Sequence, residues 1–264
     1  MDAFSLSTLS ESWFIIPCLA LFAGILALIP LGSRVLQRGV VFIDLAVAQA
    51  AAAASIWAAS LIHHPNMWMS QLLAILGALV CVNVVAFMAK KWPQQREALI
   101  GLVYVASACL AMLGARQDPH GRERLLEMLA ADVLWAGSTQ VIMLSICAIS
   151  VLILHVRFST FFSRDLCFYT VFAIVASVAV PVLGLFLVFV TLIAPALWLR
   201  SGTNMIVTIL STLIFASIGL WCSWFFDLPS GACVALSLAT WGCFSSLNYA
   251  GNPVENSVEK SKHA

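Results

Sequence analysis

Long apolar runs separated by short polar stretches fill most of this chain. A helix that spans a bilayer needs about 20 consecutive, mostly apolar residues, and the runs reach that length. The pattern therefore predicts an all-α polytopic membrane protein. The expected spans lie near 13–32, 39–62, 69–89, 97–115, 139–156, 204–226 and 230–249, and a longer block covers 166–200.

The block 166–200 is too long for a single crossing, because a helix of that length would exceed the bilayer thickness. Pro181, Gly184 and Pro195 are candidate helix breaks within it. We predict two helical pieces that meet near 181–185. The chain then has about eight transmembrane helices plus one short or re-entrant segment, and the irregular backbone must be buried in protein or line a cavity.

The composition agrees with a membrane protein. Of 264 residues, 62% are hydrophobic and 9% are charged, and the mean hydropathy is +1.01. Soluble domains carry about 25% charged residues. We expect residues 1–250 to form a single transmembrane domain in the lipid bilayer and the polar tail 251–264 to be disordered. The net charge of +1 gives no indication of a nucleic-acid partner, and we expect none.

The basic residues predict the orientation, since cytoplasmic loops carry an excess of Lys and Arg. If the loop after the first span is cytoplasmic, ten of the 13 basic residues lie inside, and Arg116, Arg122 and Arg124 lie outside. The N-terminus is then outside and the C-terminus cytoplasmic. We expect a multi-pass protein of the plasma membrane, as in a bacterial inner membrane.

Asp44 is the leading candidate for a functional residue. It lies within the second apolar run, and a charged side chain costs about 2.5–3.5 kcal/mol at a bilayer centre. The alternative is an acid near a helix N-terminus, stabilised by the helix dipole and by Arg38. Gln49 follows five positions later, about 140° around a helix, so it does not share the Asp44 face, whereas Ser55 lies closer to it.

Further candidates lie on the predicted outer side. His63 and His64 follow the second span, and the loop 118–137 contains His120, Glu123, Glu127 and Asp132. Such groups can capture a cation, but an interfacial amphipathic helix is the more ordinary explanation of the loop. No nucleotide-binding P-loop and no catalytic constellation is present in the sequence, so we do not expect an enzyme. Any ATP hydrolysis would belong to a separate subunit.

Several stretches, in order along the chain, resemble the permease subunits of ABC transporters for zinc, manganese and related metal ions. They are "RGVVFIDLAVAQ", "QREALIGLVYVASACLAML", "PHGRERLLEMLAADVLWAG", "RDLCFYTVFAIVASV", "GLFLVFVTLIAPALWLR" and "FDLPSGACVALSLA". The resemblance implies a homodimer that forms the translocation path, a cytoplasmic ATP-binding subunit and an extracytoplasmic metal-binding protein. It implies no permanently bound cofactor, because the zinc or manganese ion is the cargo.

The resemblance also implies a metal path along the second span. Better-known members have an Asp followed four positions later by His; here Asp44 matches the Asp, but Ala48 replaces the His. This chain has instead the D-L-A-x-A-Q form of a divergent branch, with Gln49 at its end. His120 and Glu123 complete a metal site only if the outer loop folds inward. Alternatively, two Asp44 carboxylates meet at the axis of a homodimer.

A last expectation concerns energy coupling. The family usually has a longer loop near 157–165, and here the contact with the ATPase would use Arg157, Phe158, Arg164 and Asp165. The function expected is import of a divalent metal ion. A pump-independent metal facilitator and a non-transporting membrane scaffold of the same fold remain the alternatives.

Overall fold

The computed structural model describes residues 12–62, 66–117, 133–157 and 164–250, together with 121, 123, 125, 126 and 131. The described residues are helical with short connections and contain no strand, which confirms the all-α prediction. The helices are α1 (Ser12–Arg38), α2 (Ile43–Leu61), α3 (Met67–Lys91), α4 (Arg96–Ala115), α5 (Ser138–Arg157), α6 (Asp165–Leu183), α7 (Leu185–Arg200), α8 (Met205–Phe226) and α9 (Ser230–Ala250). The polar tail 251–264 lies outside the described residues.

Most of these helices contain long apolar stretches. Among the described residues, α1, α3, α4, α5, α6 and α8 contain stretches long and apolar enough to cross a membrane. Shorter apolar stretches lie in α2, α7 and α9, at Ile43–Ala59, Leu185–Arg200 and Ser230–Ser245. The polytopic architecture is as predicted, and α7, with 16 residues, is the shortest α-helix of the described chain.

The long apolar block divides where the sequence predicted. α6 ends at Leu183 and α7 begins at Leu185, and Gly184 between them has φ 79° and ψ 155°. This conformation favours glycine, which has no Cβ. Pro181 lies in the last turn of α6. Pro195, in contrast, does not end a helix: α7 continues through it to Arg200, because neighbouring helices in a membrane protein compensate for the backbone hydrogen bond that proline lacks.

The centre of the bundle consists of α1, α6 and α7. α6 is buried over most of its length, and α1 packs against α5 and α7. Small residues permit these close approaches: a Cβ at Gly32 of α1 would overlap the Leu192 carbonyl of α7. α2 packs between α3 and α4, and α9 packs against α7 and α8.

The outer faces of the bundle are apolar. Leu102 on α4, Ile142 on α5 and Ile206 on α8 are more than half exposed, as are many similar side chains. Soluble monomers rarely present such continuous apolar surfaces to water. The hydrocarbon core of a membrane is the solvent that these faces fit.

Candidate functional site

Asp44 is buried at the N-terminal end of α2. Its side chain is 1% exposed, and among the described residues neither carboxylate oxygen has a hydrogen-bond partner. Arg38, the partner that a purely structural role would require, donates from Nε to Asp165 Oδ1 at 3.0 Å and lies 4.2 Å from the centre of the Phe168 ring. The helix dipole remains as a source of stabilisation, because Asp44 lies in the first turn of α2.

A face of small residues continues from Asp44 along α2. Residues at positions 44, 48, 51, 52 and 55 lie within one helical sector, because their spacings of four, seven, eight and eleven residues are close to whole turns. This face borders a cavity of about 210 Å³, which we call the α2 cavity. Its lining residues are Ala48, Ala51, Ala52, Ser55, Ser70, Gln71, Ala74, Gln140, Ser177, Val180 and Pro181.

Pro181 leaves a backbone carbonyl group beside this cavity without its usual helical hydrogen bond. In a regular helix, the N–H of residue 181 would bond the carbonyl of Ser177, but proline has no N–H. Gln71 of α3 replaces that bond, since its Nε2 donates to the Ser177 carbonyl at 3.2 Å. The same pair of residues therefore joins α3 to α6 and places an amide beside the cavity.

Glu97 is a functional candidate that sequence reasoning missed. Its Oε1 accepts a hydrogen bond from the backbone N–H of Val41 at 3.1 Å, and its Oε2 is buried without a partner among the described residues. Val41 lies three residues before Asp44 in the turn that leads into α2. In the sequence, Glu97 looks like an ordinary acid at a helix N-terminus. Its contact with Val41 joins residues 56 positions apart, so the residues next to Glu97 in the sequence do not predict it.

Two of the remaining predicted metal ligands, Gln49 and Glu123, lie within the described residues. Gln49 is buried but lies on another face of α2 and does not line the α2 cavity. Glu123 is exposed, so it does not contact the enclosed Asp44 carboxylate. His63, His64, His120, Glu127 and Asp132 lie outside the described residues. Within the described part of the chain, no group of three or more His, Cys, Asp or Glu side chains can hold a metal ion.

The burial of Asp44 also bears on the dimer-axis hypothesis. A carboxylate that meets its symmetry mate must lie on the surface of its own subunit, whereas the Asp44 side chain is enclosed within one chain. In this structure, two Asp44 side chains therefore cannot meet across an interface between copies.

The predicted coupling residues lie around the connection from α5 to α6. Arg157 is the last residue of α5, Arg164 immediately precedes α6, and both are exposed. Asp165 opens α6 with a side chain that is 75% exposed, and it forms the ion pair with Arg38. Phe158 lies outside the described residues. Through Arg38, this connection is in direct contact with the end of α1 that precedes α2.

Comparisons with known proteins found a family match for part of the chain and a solved structure with a similar fold. Residues 161–248 match the model of the ABC 3 transport family, which is about a third of the chain. The fold is similar to that of PsaBC from Streptococcus pneumoniae in complex with Fab, with a TM-score of 0.72 and 14% identity over 91% of this chain and 93% of that chain. No curated protein matches the sequence.

Together these matches show that part of the chain resembles the ABC 3 transport family and that its fold is similar to that of a chain of PsaBC. The resemblance that the sequence motifs indicated is thereby confirmed. The matched residues include α6 to α9 but not α2, so neither Asp44 nor the face of α2 that borders the cavity is part of the family match.

Proposed function

We propose that this chain forms the translocation path of an ABC transporter that imports a divalent metal ion of the zinc or manganese class, driven by ATP hydrolysis on a separate subunit. One observation carries the proposal: the Asp44 carboxylate is buried and both of its oxygens lack partners. Burying a carboxyl group that has no hydrogen-bond partner costs free energy. The passage of a cation beside Asp44 would explain why a buried acid without a hydrogen-bond partner is present at this position.

The geometry of α2 supports a route to this carboxylate. The face that contains Asp44 borders the α2 cavity one turn further along the helix, at Ala48. With the N-terminus outside, the cavity lies on the extracytoplasmic side of Asp44. The ion enters through the cavity and meets the carboxylate near the cytoplasmic end of α2. Because Asp44 is enclosed here, the structure corresponds to a closed path.

Opening that path requires movement at the N-terminal end of α2. Two contacts hold this end: Glu97 with the Val41 N–H, and Asp165 with Arg38. Asp165 is the last of the four residues that we assign to ATPase contact. In the proposed transporter, two copies of the chain bind cytoplasmic ATP-binding subunits, and an extracytoplasmic metal-binding protein delivers the ion.

The experiment that tests the role of Asp44 is radioactive metal uptake into cells that express the complete transporter. We expect Asp44→Asn, which removes the charge and keeps the shape, to reduce uptake by about tenfold or more, as loss of a metal-coordinating group typically does. Asp227→Asn is the matched control, because Asp227 is exposed in the turn between α8 and α9 with φ 52°. Undiminished uptake by Asp44→Asn at equal protein level contradicts the proposal.

The requirement for an ATPase is tested separately by purifying the tagged chain from its native membrane. The permease assignment predicts stoichiometric co-purification of a subunit with a nucleotide-binding P-loop, and uptake that stops when ATP is depleted. Uptake that continues without ATP would instead support a pump-independent facilitator.

A further inference from the structure

Asn83 is an exposed carboxamide in the interior of α3, which ends at Lys91. With the helical rise per residue, Asn83 lies about 12 Å along the axis from that basic end. The hydrocarbon core of a bilayer is about 30 Å thick, so a side chain as short as asparagine does not reach the headgroups from this depth. Other exposed carboxamides of the described chain, such as Gln37 and Asn204, lie at or next to helix ends.

The amide of Asn83 is only partly used within its own helix. Its Nδ2 donates to the Leu79 carbonyl at 2.8 Å. A carboxamide has two N–H donors and one carbonyl oxygen. One N–H and the oxygen therefore remain without a partner among the described residues.

Exposed hydroxyl groups on the other outer faces differ from Asn83 in this respect. Ser150 on α5, Ser217 on α8 and Thr240 on α9 each donate to a carbonyl of their own helix at 2.8 Å. A hydroxyl has a single proton, so that one bond uses its donor. Lipid chains offer no hydrogen bonds, and an unsatisfied polar group among them is costly. The remaining groups of Asn83 therefore fit a partner that the described chain does not provide.

Asn83 belongs to a row of exposed side chains on the outer face of α3, which we call the α3 stripe. Met69, Leu76 and Asn83 are spaced by seven residues, and so are Val80 and Phe87; all five are exposed. Seven residues is the repeat at which helices pair in left-handed coils, and a single asparagine in such a seam specifies the register and the number of helices. The opposite side of α3 packs against α2 and α6.

We propose that the α3 stripe binds the α3 stripe of a second copy of this chain, with the two Asn83 amides hydrogen-bonded to each other. Two copies inserted in the same direction are related by a twofold axis along the membrane normal, so position 83 meets position 83 at the same depth. The free N–H and the free oxygen of each amide then form two reciprocal hydrogen bonds. This self-complementarity favours a second copy over a different membrane protein.

The inference rests on the proposed function only for the pairing of two copies, and it names the surface at which they meet. Neither the ion nor the ATPase enters it. The apolar side chains of the stripe supply the packing between the helices, which in a membrane accompanies polar contacts of this kind.

The test is resonance energy transfer between donor-labelled and acceptor-labelled copies of the purified full-length chain in liposomes, without ATPase or metal, as the ratio of protein to lipid is varied. We expect wild-type copies to associate and Asn83→Leu to weaken the association about tenfold, because the interhelical hydrogen bonds are lost. Leucine suits a lipid-facing position, so this variant should fold. Asn83→Gln keeps a carboxamide and should recover part of the loss.

Ser150→Leu is the matched control. It also replaces an exposed polar side chain by leucine, but the Ser150 hydroxyl bonds within α5, to the Ile146 carbonyl. We expect this variant to associate like wild type.

The outcomes separate this inference from the proposed function. Equal association of Asn83→Leu and Ser150→Leu, or no association of the wild type, overturns the α3 contact and leaves the proposed transporter with its copies meeting elsewhere. A monomeric wild type from which Asn83→Leu removes a co-purifying membrane protein also overturns it, in favour of a different partner. Selective weakening in Asn83→Leu supports the α3 contact even if Asp44→Asn transports metal normally, which would overturn only the proposed function.

Discussion

The two halves of α2 differ in the type of polar group that they contain and in how deeply that group is buried. At the N-terminal end, the acidic side chain of Asp44 is enclosed, and the adjoining turn is held by Glu97 and by the Arg38–Asp165 pair. In the second half, the polar groups are neutral and border open space. In the proposed transport path, an ion would meet the neutral groups of the second half first and the buried acid at the N-terminal end afterwards.

The largest expected effect comes from removing the space in the second half. Ala51→Phe places a ring where the α2 cavity lies, and we expect metal uptake to fall to a small fraction of wild type because the path is blocked. Ala106→Phe is the control, since Ala106 is exposed on the outer face of α4. Normal uptake by Ala51→Phe, in a protein that expresses and purifies like the control, would mean that the ion takes another route.

An intermediate effect is expected at the turn before α2. Glu97→Ala leaves the Val41 N–H without its acceptor, which costs about 1–3 kcal/mol if the group stays buried. Glu97→Gln keeps an oxygen acceptor, so it should recover most of the stability. Thermal unfolding of both variants in detergent measures this difference. If both variants unfold at the wild-type temperature, Glu97 does not hold the end of α2.

The smallest expected effect concerns the ion pair of Arg38 with Asp165. The Asp165 side chain is 75% exposed, and exposed pairs contribute about 0.2–1 kcal/mol. Asp165→Asn should therefore barely change thermal stability. A clear fall in ATP-driven uptake at unchanged stability would show that the pair transmits movement from the α5–α6 connection to α2. Unchanged uptake would confine the pair to a minor structural role.

Local patterns predicted the helices well and the site only in part. Apolar runs located the helices, and the glycine at 184 marked the break between α6 and α7, because both signals act over a few residues. The contacts of Glu97 with Val41 and of Gln71 with Ser177 span 56 and 106 positions. They arise from helix packing, for which the periodicity of a single segment contains no information.

The surroundings of Asp44 likewise could not be predicted from the sequence alone. Its unusual position was visible because an acid in an apolar run is costly. Whether it faces a partner subunit or the interior of its own chain depends on how α2 packs between α3 and α4. That packing encloses the Asp44 side chain within one chain, a surrounding that differs from the dimer axis that the sequence led us to expect.

ATP-driven metal flux into proteoliposomes, with ATP hydrolysis measured in the same preparation, tests the central claim most directly. The complete transporter containing Asp44→Asn is compared with wild type and with Asp227→Asn. The account predicts that Asp44→Asn still assembles with the ATPase and hydrolyses ATP but transports about tenfold less metal or worse, while the control transports normally. Flux through Asp44→Asn equal to wild type would contradict the claim that the ion passes this buried carboxylate.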